Sequence, residues 1–273
     1  MILTVRHVTT YCYDRPVRAV LQSHRLRPAP FDGQKVIDWS AEPLGGIKGG
    51  GFRDGAGDFV QGWTIPGPLT EVVVEVRGRV ETTDLAGVLR GFRERLPPEV
   101  WLRKTLATRC DAALAALADA TAPAAQGLDL AHALAQAVAE ALPYAPPENR
   151  GQTQSQTTAA EAMAQGAGVC QDQAQVLIAL ARRRGVPARY VAGYLLADAE
   201  GRPHEAAHAW AELWVPALGW VGFDPANACC PDDRYIRLGS GLDAADAAPI
   251  RGIARGEAVE ALEVSVAVEA QQQ

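Results

Sequence analysis

An α+β architecture is the fold class this sequence predicts, with a β-rich segment first and a helix-on-sheet unit after it. Three observations predict it. The first 84 residues hold short β-branched and aromatic runs bounded by Pro, Gly and Asp clusters. From Leu85 onward the apolar period shifts from two towards 3.6. After an apolar helix that follows Cys170, the chain returns to three strand-like runs, Arg189 to Leu196, Ala207 to Val215 and Trp220 to Asp224, expected to form one sheet against that helix. The expected division is a β-rich antiparallel domain over 1–84 and a helical connection plus core over 85–273, with Arg93 to Pro98 as the passage between them.

In the first segment, strands are expected at Leu3 to Tyr13, Val17 to Leu26, Val36 to Trp39, Asp58 to Ile65 and Glu71 to Glu81. The last is the clearest. Val72, Val74, Val76 and Val80 alternate with Val73, Glu75, Arg77 and Arg79, so one face is buried and the other mostly wet. Gly45 to Gly57 holds seven glycines around Asp54. No GK[ST] and no helix follow it, so it reads as a flexible hairpin loop rather than a phosphate cradle.

Two amphipathic helices follow, one carrying Leu106, Ala113, Leu114 and Leu117 and the other Leu130, Ala131, Leu134, Val138 and Ala141. On the second, His132, Gln136 and Glu140 recur every fourth residue opposite the apolar stripe, the pattern of a solvated face. Tyr144 to Thr157 is polar, Pro-rich loop, and Thr158-Ala159-Ala160-Glu161 is a capping box opening a short helix to Gln165. The turn Gly166-Ala167-Gly168 then delivers Cys170. From Gln171 to Arg184 there is no Gly or Pro, three arginines complement the negative helix end, Gly185 suits the left-handed closing residue, and Pro187 blocks continuation. Cys170 therefore stands at the positive end of a buried helix, where a thiol pKa of about 8.5 falls to roughly 3.5–7.5. A final alternating run from Leu262 to Val268 is one more strand, with no sheet assigned to it.

Composition narrows the function classes. Lys and Arg total 26 against 32 Asp and Glu, a formal charge of −6, so no electrostatic footprint exists for nucleic acid or an anionic membrane. The N-terminus runs straight into a strand pattern without a signal peptide, and no run of 18 apolar residues occurs, which points to a cytoplasmic protein. Five cysteines without CxxC spacing read as free thiols, and Cys229-Cys230 as loop thiols rather than metal ligands.

A cysteine nucleophile needs a base in reach, and the base needs a group to orient its other ring nitrogen. His208 and Asp224 stand sixteen residues apart across a hairpin, and an even separation places both side chains on one sheet face. With the turn centred at Pro216 they would be directly opposite, and a three- or five-residue turn or a bulge is expected over Pro216 to Leu218. Trp210 shares that face and would shield the pair from water. The plainer alternatives are that Cys170, on one stripe with Ala174, Leu177 and Ala181, is inert core, and that His208 is structural. His204 is the nearby competitor for the base, but it lacks the hairpin register.

Gly168-Val169-Cys170-Gln171-Asp172, then Gly185 through Tyr194, then His208-Ala209-Trp210-Ala211-Glu212 and Gly219 through Pro225, together resemble the core of the transglutaminase-like superfamily, more narrowly its bacterial cysteine-peptidase-like members. His7-Val8-Thr9-Thr10-Tyr11 and Leu26-Arg27-Pro28 resemble the β-rich leader domain often attached to that core. The resemblance implies a papain-like core with a triad of Cys170, His208 and Asp224, no cofactor, and acyl transfer from a peptide or protein amide. The oxyanion would meet the Cys170 backbone N–H and one further donor, for which Gln171 and Tyr144 are the candidates. Many relatives carry histidine where this chain has Gln175. Three functions stay open: amide hydrolysis, transfer of the acyl group to an amine, and a non-catalytic binding module on this fold.

Overall fold

The computed structural model describes residues 1–145, 157–196 and 207–270. Its first layer is a sheet of long, bent strands: β1 (Ile2–His24), β2 (Gln34–Pro43), β3 (Ile47–Arg53) and β4 (Phe59–Thr82). The runs read separately as Leu3 to Tyr13 and Val17 to Leu26 are one strand. The β1–β4 register slips between Cys12 and Val17 and again before Ala19, and an irregularity of this kind bends a strand without ending it. Leu3, Val5 and Val17 of β1 pack on Val72, Val74, Val76 and Val80 of β4 in one buried cluster.

The glycine-rich stretch is not a loop. Most of it is β3, paired with β4, because glycine permits a backbone approach that a side chain would block: a Cβ on Gly49 would stand 3.1 Å from the Gly62 carbonyl oxygen. The Gln61 side chain seals the contact by donating to the carbonyls of Gly49, Gly50 and Gly62 at 2.9, 3.2 and 3.0 Å.

A 3-10 turn at Pro98–Leu102 leads to α1 (Ala112–Ala120). Leu106 lies outside α1 and is 79 % exposed. The helix begins later than the apolar period suggested because Asp111 caps it, accepting the Leu114 N–H at 2.9 Å. Helix α2 (Gly127–Ala141) buries Leu130, Ala131, Leu134 and Val138, and α3 (Ala159–Gln165) opens on the reciprocal Thr158–Glu161 capping box. Helix α4 (Cys170–Arg183) is buried along nearly its whole length, and Gly185 closes it with a φ of 74°.

Helix α4 lies on the second sheet, formed by β5 (Ala188–Leu195), β6 (His208–Val215), β7 (Gly219–Phe223) and β8 (Tyr235–Gly241) in the antiparallel order β7-β6-β5-β8. Alternation on β6 sends Ala209, Ala211, Leu213 and Val215 into the core that α4 shares, and turns His208, Trp210 and Glu212 to the other face. The unassigned last run is β10 (Glu260–Ala270). With β9 (Ile250–Ala254) it pairs with β1, so these two strands rejoin the first sheet. Among the described residues no helix is long and apolar enough to cross a membrane.

Buried charges tie the two sheets together. Arg237 of β8 donates to Glu212 of β6 at 2.8 Å and to Asp58, which precedes β4, at 2.7 Å, while Arg189 of β5 donates to the other Glu212 oxygen at 2.6 Å. Asp58 also accepts from the Ser240 backbone N–H and hydroxyl, and Gln34 of β2 brackets the Arg237 backbone, accepting its N–H at 2.7 Å and donating to its carbonyl at 2.8 Å. The guanidiniums lie over aromatic rings, Arg189 on Trp220 at 4.0 Å and Arg237 on Phe92 at 4.5 Å. Burial pushes the Glu212 carboxyl up, but Arg237 and Arg189 together pull it below its ordinary value.

Arg237→Met strands Glu212 and Asp58 in the interior, with an expected loss of about 3–5 kcal/mol in urea unfolding. A carboxylate with a depressed pKa stabilises the fold above its unfolded value and ceases to as pH falls through its folded value. The stability gap between the native chain and Glu212→Gln therefore narrows as unfolding is measured below about pH 4.3.

Candidate functional site

Three elements converge at one end of the second sheet. Cys170 is the first residue of α4, His208 the first of β6, and Asp224 follows the last residue of β7. The Gly166–Gly168 turn supplies the approach. Gly166 is left-handed with φ 73°, and a Cβ on Gly168 would lie 2.8 Å from the Asp172 side chain. That closeness lets the Asp172 carboxylate accept the Val169 N–H at 3.0 Å and hold the first turn of α4.

The β6–β7 hairpin has a three-residue connection, Pro216 to Leu218, with Ala217 and Gly219 left-handed at φ 69° and 83°. Its centre is Ala217 rather than Pro216. Extended by one step, the observed register sets Asp224 across from Trp210, so Asp224 and His208 are diagonal neighbours rather than directly opposite. Both still occupy one face, and the two side chains span the diagonal: His208 Nε2 lies 2.6 Å from Asp224 Oδ2.

Asp224 is held from four directions. A tight loop, closed by the Asp224 N–H to the Cys229 carbonyl at 2.8 Å and the reverse bond at 3.2 Å, folds residues 225–228 back over it. From that loop the Ala226 N–H donates to Oδ1 at 3.0 Å and Asn227 Nδ2 to Oδ2 at 2.7 Å, while the Tyr235 hydroxyl donates to Oδ2 at 2.8 Å from β8. Burial raises its pKa, but the His208 charge and these hydrogen bonds more than offset that, and the group stays ionised below the usual carboxylate range.

His208 shows the same contest with the opposite sign. Burial disfavours its charge, but the electrostatic and hydrogen-bonding interactions of the ring with the Cys170 sulfur and the Asp224 carboxylate lift its pKa to about 10. With Nε2 committed to Asp224, Nδ1 is the nitrogen left for Cys170. The ring stacks on Trp210, centroids 6.3 Å apart at 28°, and meets Tyr235 at 5.9 Å, so its flanks are apolar. A buried sulfur, imidazole and carboxylate in this chain of contacts can store one proton on the ring and leave the sulfur nucleophilic.

The two oxyanion candidates fall on either side of the Cys170 turn. Gln171 is exposed on the first turn of α4. Tyr144 sits on a short parallel bridge to Gly168, made by the Ala145 N–H to the Gly168 carbonyl at 2.8 Å and the Gly168 N–H to the Pro143 carbonyl at 3.0 Å, with its ring half exposed. Gln173, buried, anchors that strip by donating to the Leu142 carbonyl at 2.7 Å. Gln175 is buried two residues further along α4 and donates to the Thr157 carbonyl at 2.7 Å. His204 lies outside the described residues. His132, on the exposed face of α2, meets Phe223 edge-on at 5.1 Å, and Gln136 bonds Glu140 at 2.7 Å. Cys229 reaches the Tyr235 hydroxyl at 3.3 Å, and burial raises both vicinal thiols, Cys230 to about 11.

Sequence reasoning missed Tyr235 and Asn227. Asn227, three residues after Asp224 at a Pro-led turn, carried a local signal. Tyr235 carries none, because Arg237, Gly239, Ser240 and Gly241 give β8 the local pattern of a loop.

Residues 115–225, which include Cys170, His208 and Asp224, match the family described as the transglutaminase-like superfamily, and residues 3–81 match the bacterial transglutaminase-like N-terminal region. The uncharacterized protein ML0607 of Mycobacterium leprae is 30% identical over 288 aligned positions that cover 97% of this chain and 98% of that one. A protein-glutamine gamma-glutamyltransferase of Pseudomonas aeruginosa is 36% identical over 86 residues, 29% of this chain and 12% of that one. A crystal structure of a candidate cysteine protease from Cytophaga hutchinsonii superposes with a TM-score of 0.73 at 21% identity, covering 100% of this chain and 92% of that one, which extends the likeness in fold to both layers.

The raised His208 value is measurable. A ring-proton NMR titration is expected to keep the imidazole charged until about pH 10. Asp224→Asn removes one of the two anions holding that proton and lowers the midpoint by one pH unit or more, whereas Tyr235→Phe lowers it less.

Proposed function

With the chain a member of the transglutaminase-like superfamily, we propose that it is a cysteine-dependent amide hydrolase acting on a peptide or protein amide. The observation that carries this reading is the continuous contact from Cys170 through His208 to Asp224, with the sulfur at the N-terminus of α4. The Cys170 thiolate attacks the amide carbonyl carbon. The developing oxyanion faces the Cys170 backbone N–H, in the first turn of the helix. His208 passes its proton to the nitrogen as the C–N bond breaks, and the amine leaves behind a thioester on Cys170. Water, deprotonated by His208, then attacks the thioester, and the acid departs as the sulfur regains its charge. Asp224 stays ionised throughout and keeps the ring oriented, held in turn by Tyr235 and Asn227.

A second reading, in which an amine replaces water in the last step, draws support from the identity shared with the glutamyltransferase of Pseudomonas aeruginosa. Both readings use the same first half-reaction and divide at the thioester. The binding-module reading is disfavoured by a buried imidazole held toward its charged form between a carboxylate and a cysteine, an arrangement an inert fold has no need to retain.

Two measurements test the proposal. Iodoacetamide at pH 6 is expected to alkylate Cys170 faster than the denatured chain, and His208→Ala to slow that reaction by at least about tenfold; equal rates overturn the activated thiol. Casein incubated with a fluorescent primary amine then separates the two readings. New chain termini without label support hydrolysis, label incorporation supports transfer, and either signal is expected to vanish in Cys170→Ser and to drop by roughly 10²–10⁴ in His208→Ala.

A further inference from the structure

A cavity of about 920 Å³ lies in the first layer and is lined by none of Cys170, His208 and Asp224. Its wall is built from the Leu26-Arg27-Pro28 corner after β1, the start of β2, the loop between β3 and β4, and residues 91–93. Four cations line it, Arg27, Lys35, Arg53 and Arg93, against Asp32 as the one acid, in a chain whose net charge is −6.

These cations are poorly compensated. Lys35 has only a 3.6 Å pairing with Glu81, both side chains exposed. Arg53 donates to the Gly57 carbonyl, Arg27 lies 5.5 Å over the Phe59 ring, and among the described residues no carboxylate stands at ion-pair distance from Arg27, Arg53 or Arg93. Like charges gathered in a concave wall focus a positive potential that an anionic ligand relieves. The floor is apolar, with Pro28, Phe31, Val36 and Phe92.

The groove is also preformed. The Arg95 and Leu96 N–H groups bond the Gly55 carbonyl at 3.0 and 3.1 Å, and the Asp32 N–H bonds the Arg90 carbonyl at 2.9 Å, so the 91–96 segment is tied at both ends. Gly57, left-handed at φ 88°, touches the Arg93 carbonyl so closely that a Cβ there would stand 2.2 Å from its oxygen. Phe92 is wedged against the buried Arg237 and Arg189 guanidiniums. A site that needs no ordering on binding loses little affinity to reorganisation.

We infer that this groove binds an acidic peptide segment, whose Asp and Glu side chains pair with Arg27, Arg53 and Arg93 while apolar side chains between them rest on Phe31 and Phe92. Arginine forks match carboxylates bidentately. The apolar floor favours such a peptide over a nucleic acid, which offers regularly spaced phosphates and no aliphatic side chains to cover Phe31 and Phe92. The inference stands apart from the chemistry at Cys170.

The test is fluorescence anisotropy on the full chain with a fluorescein-labelled peptide alternating Glu and Leu. Saturable binding that weakens with added salt is expected, with a loss of at least about tenfold in affinity for Arg53→Glu/Arg93→Glu and no change for Cys170→Ser. Arg27→Ala serves as the second variant if the double one unfolds earlier than the native chain, and a several-fold loss is expected of it. No saturation up to about 1 mM peptide, affinity untouched by these substitutions, or equal competition by a single-stranded oligonucleotide of the same charge would each overturn the inference.

Discussion

Arg237 is the residue on which the two layers meet. It neutralises Glu212 of the second sheet and Asp58 of the first with the same guanidinium, and all three are buried. Ions in an apolar interior are tolerated when paired and hydrogen-bonded, and here Arg189, Ser240 and Gln34 add to the pairing. Such a network leaves few alternative arrangements, because a shift of either sheet strands a charge. It also fixes β8, and two residues before Arg237 that strand carries Tyr235, which donates to Asp224. The joint between the layers thus sets the position of one wall of the site.

The site itself repeats this chemistry with one difference. Glu212 is saturated by two arginines that cannot lose their protons under ordinary conditions. Asp224 is saturated too, but its ionic partner is an imidazole whose other nitrogen faces a sulfur. A proton can therefore move at one end of the array while the carboxylate stays put. Helix α4 contributes the rest: its first turn, tied down by Asp172, sets its positive end beside Cys170.

Much of this was legible in the chain. A period of two against 3.6 separated the β-rich layer from the helices, and Thr158, Gly185 and Pro187 marked helix ends through local rules that need no tertiary knowledge. Side-chain parity in a hairpin sufficed to put His208 and Asp224 on one face. The exact centre of the turn was not legible, since Ala217 adopts a left-handed conformation that its residue type does not favour. Strands β3 and β8 escaped notice for a shared reason. Their glycines, and the arginine and serine of β8, are poor local signals for a strand, and only neighbouring backbone and buried partners make them one.

By itself, then, the sequence determined the class of the fold, the elements with clean periodicity or caps, and that His208 and Asp224 share one sheet face. Tertiary structure alone decided which sheet receives the final strand, that Tyr235 and Asn227 hold the carboxylate, and that one groove gathers three arginines and a lysine from four separate segments. The physical reason is range. Periodicity, capping and hairpin parity act over a few residues and leave a mark in the local pattern. The contacts that place β10 beside β1, or Arg237 beside Asp58, join positions far apart in the chain, and depend on shapes that exist only once the core has closed.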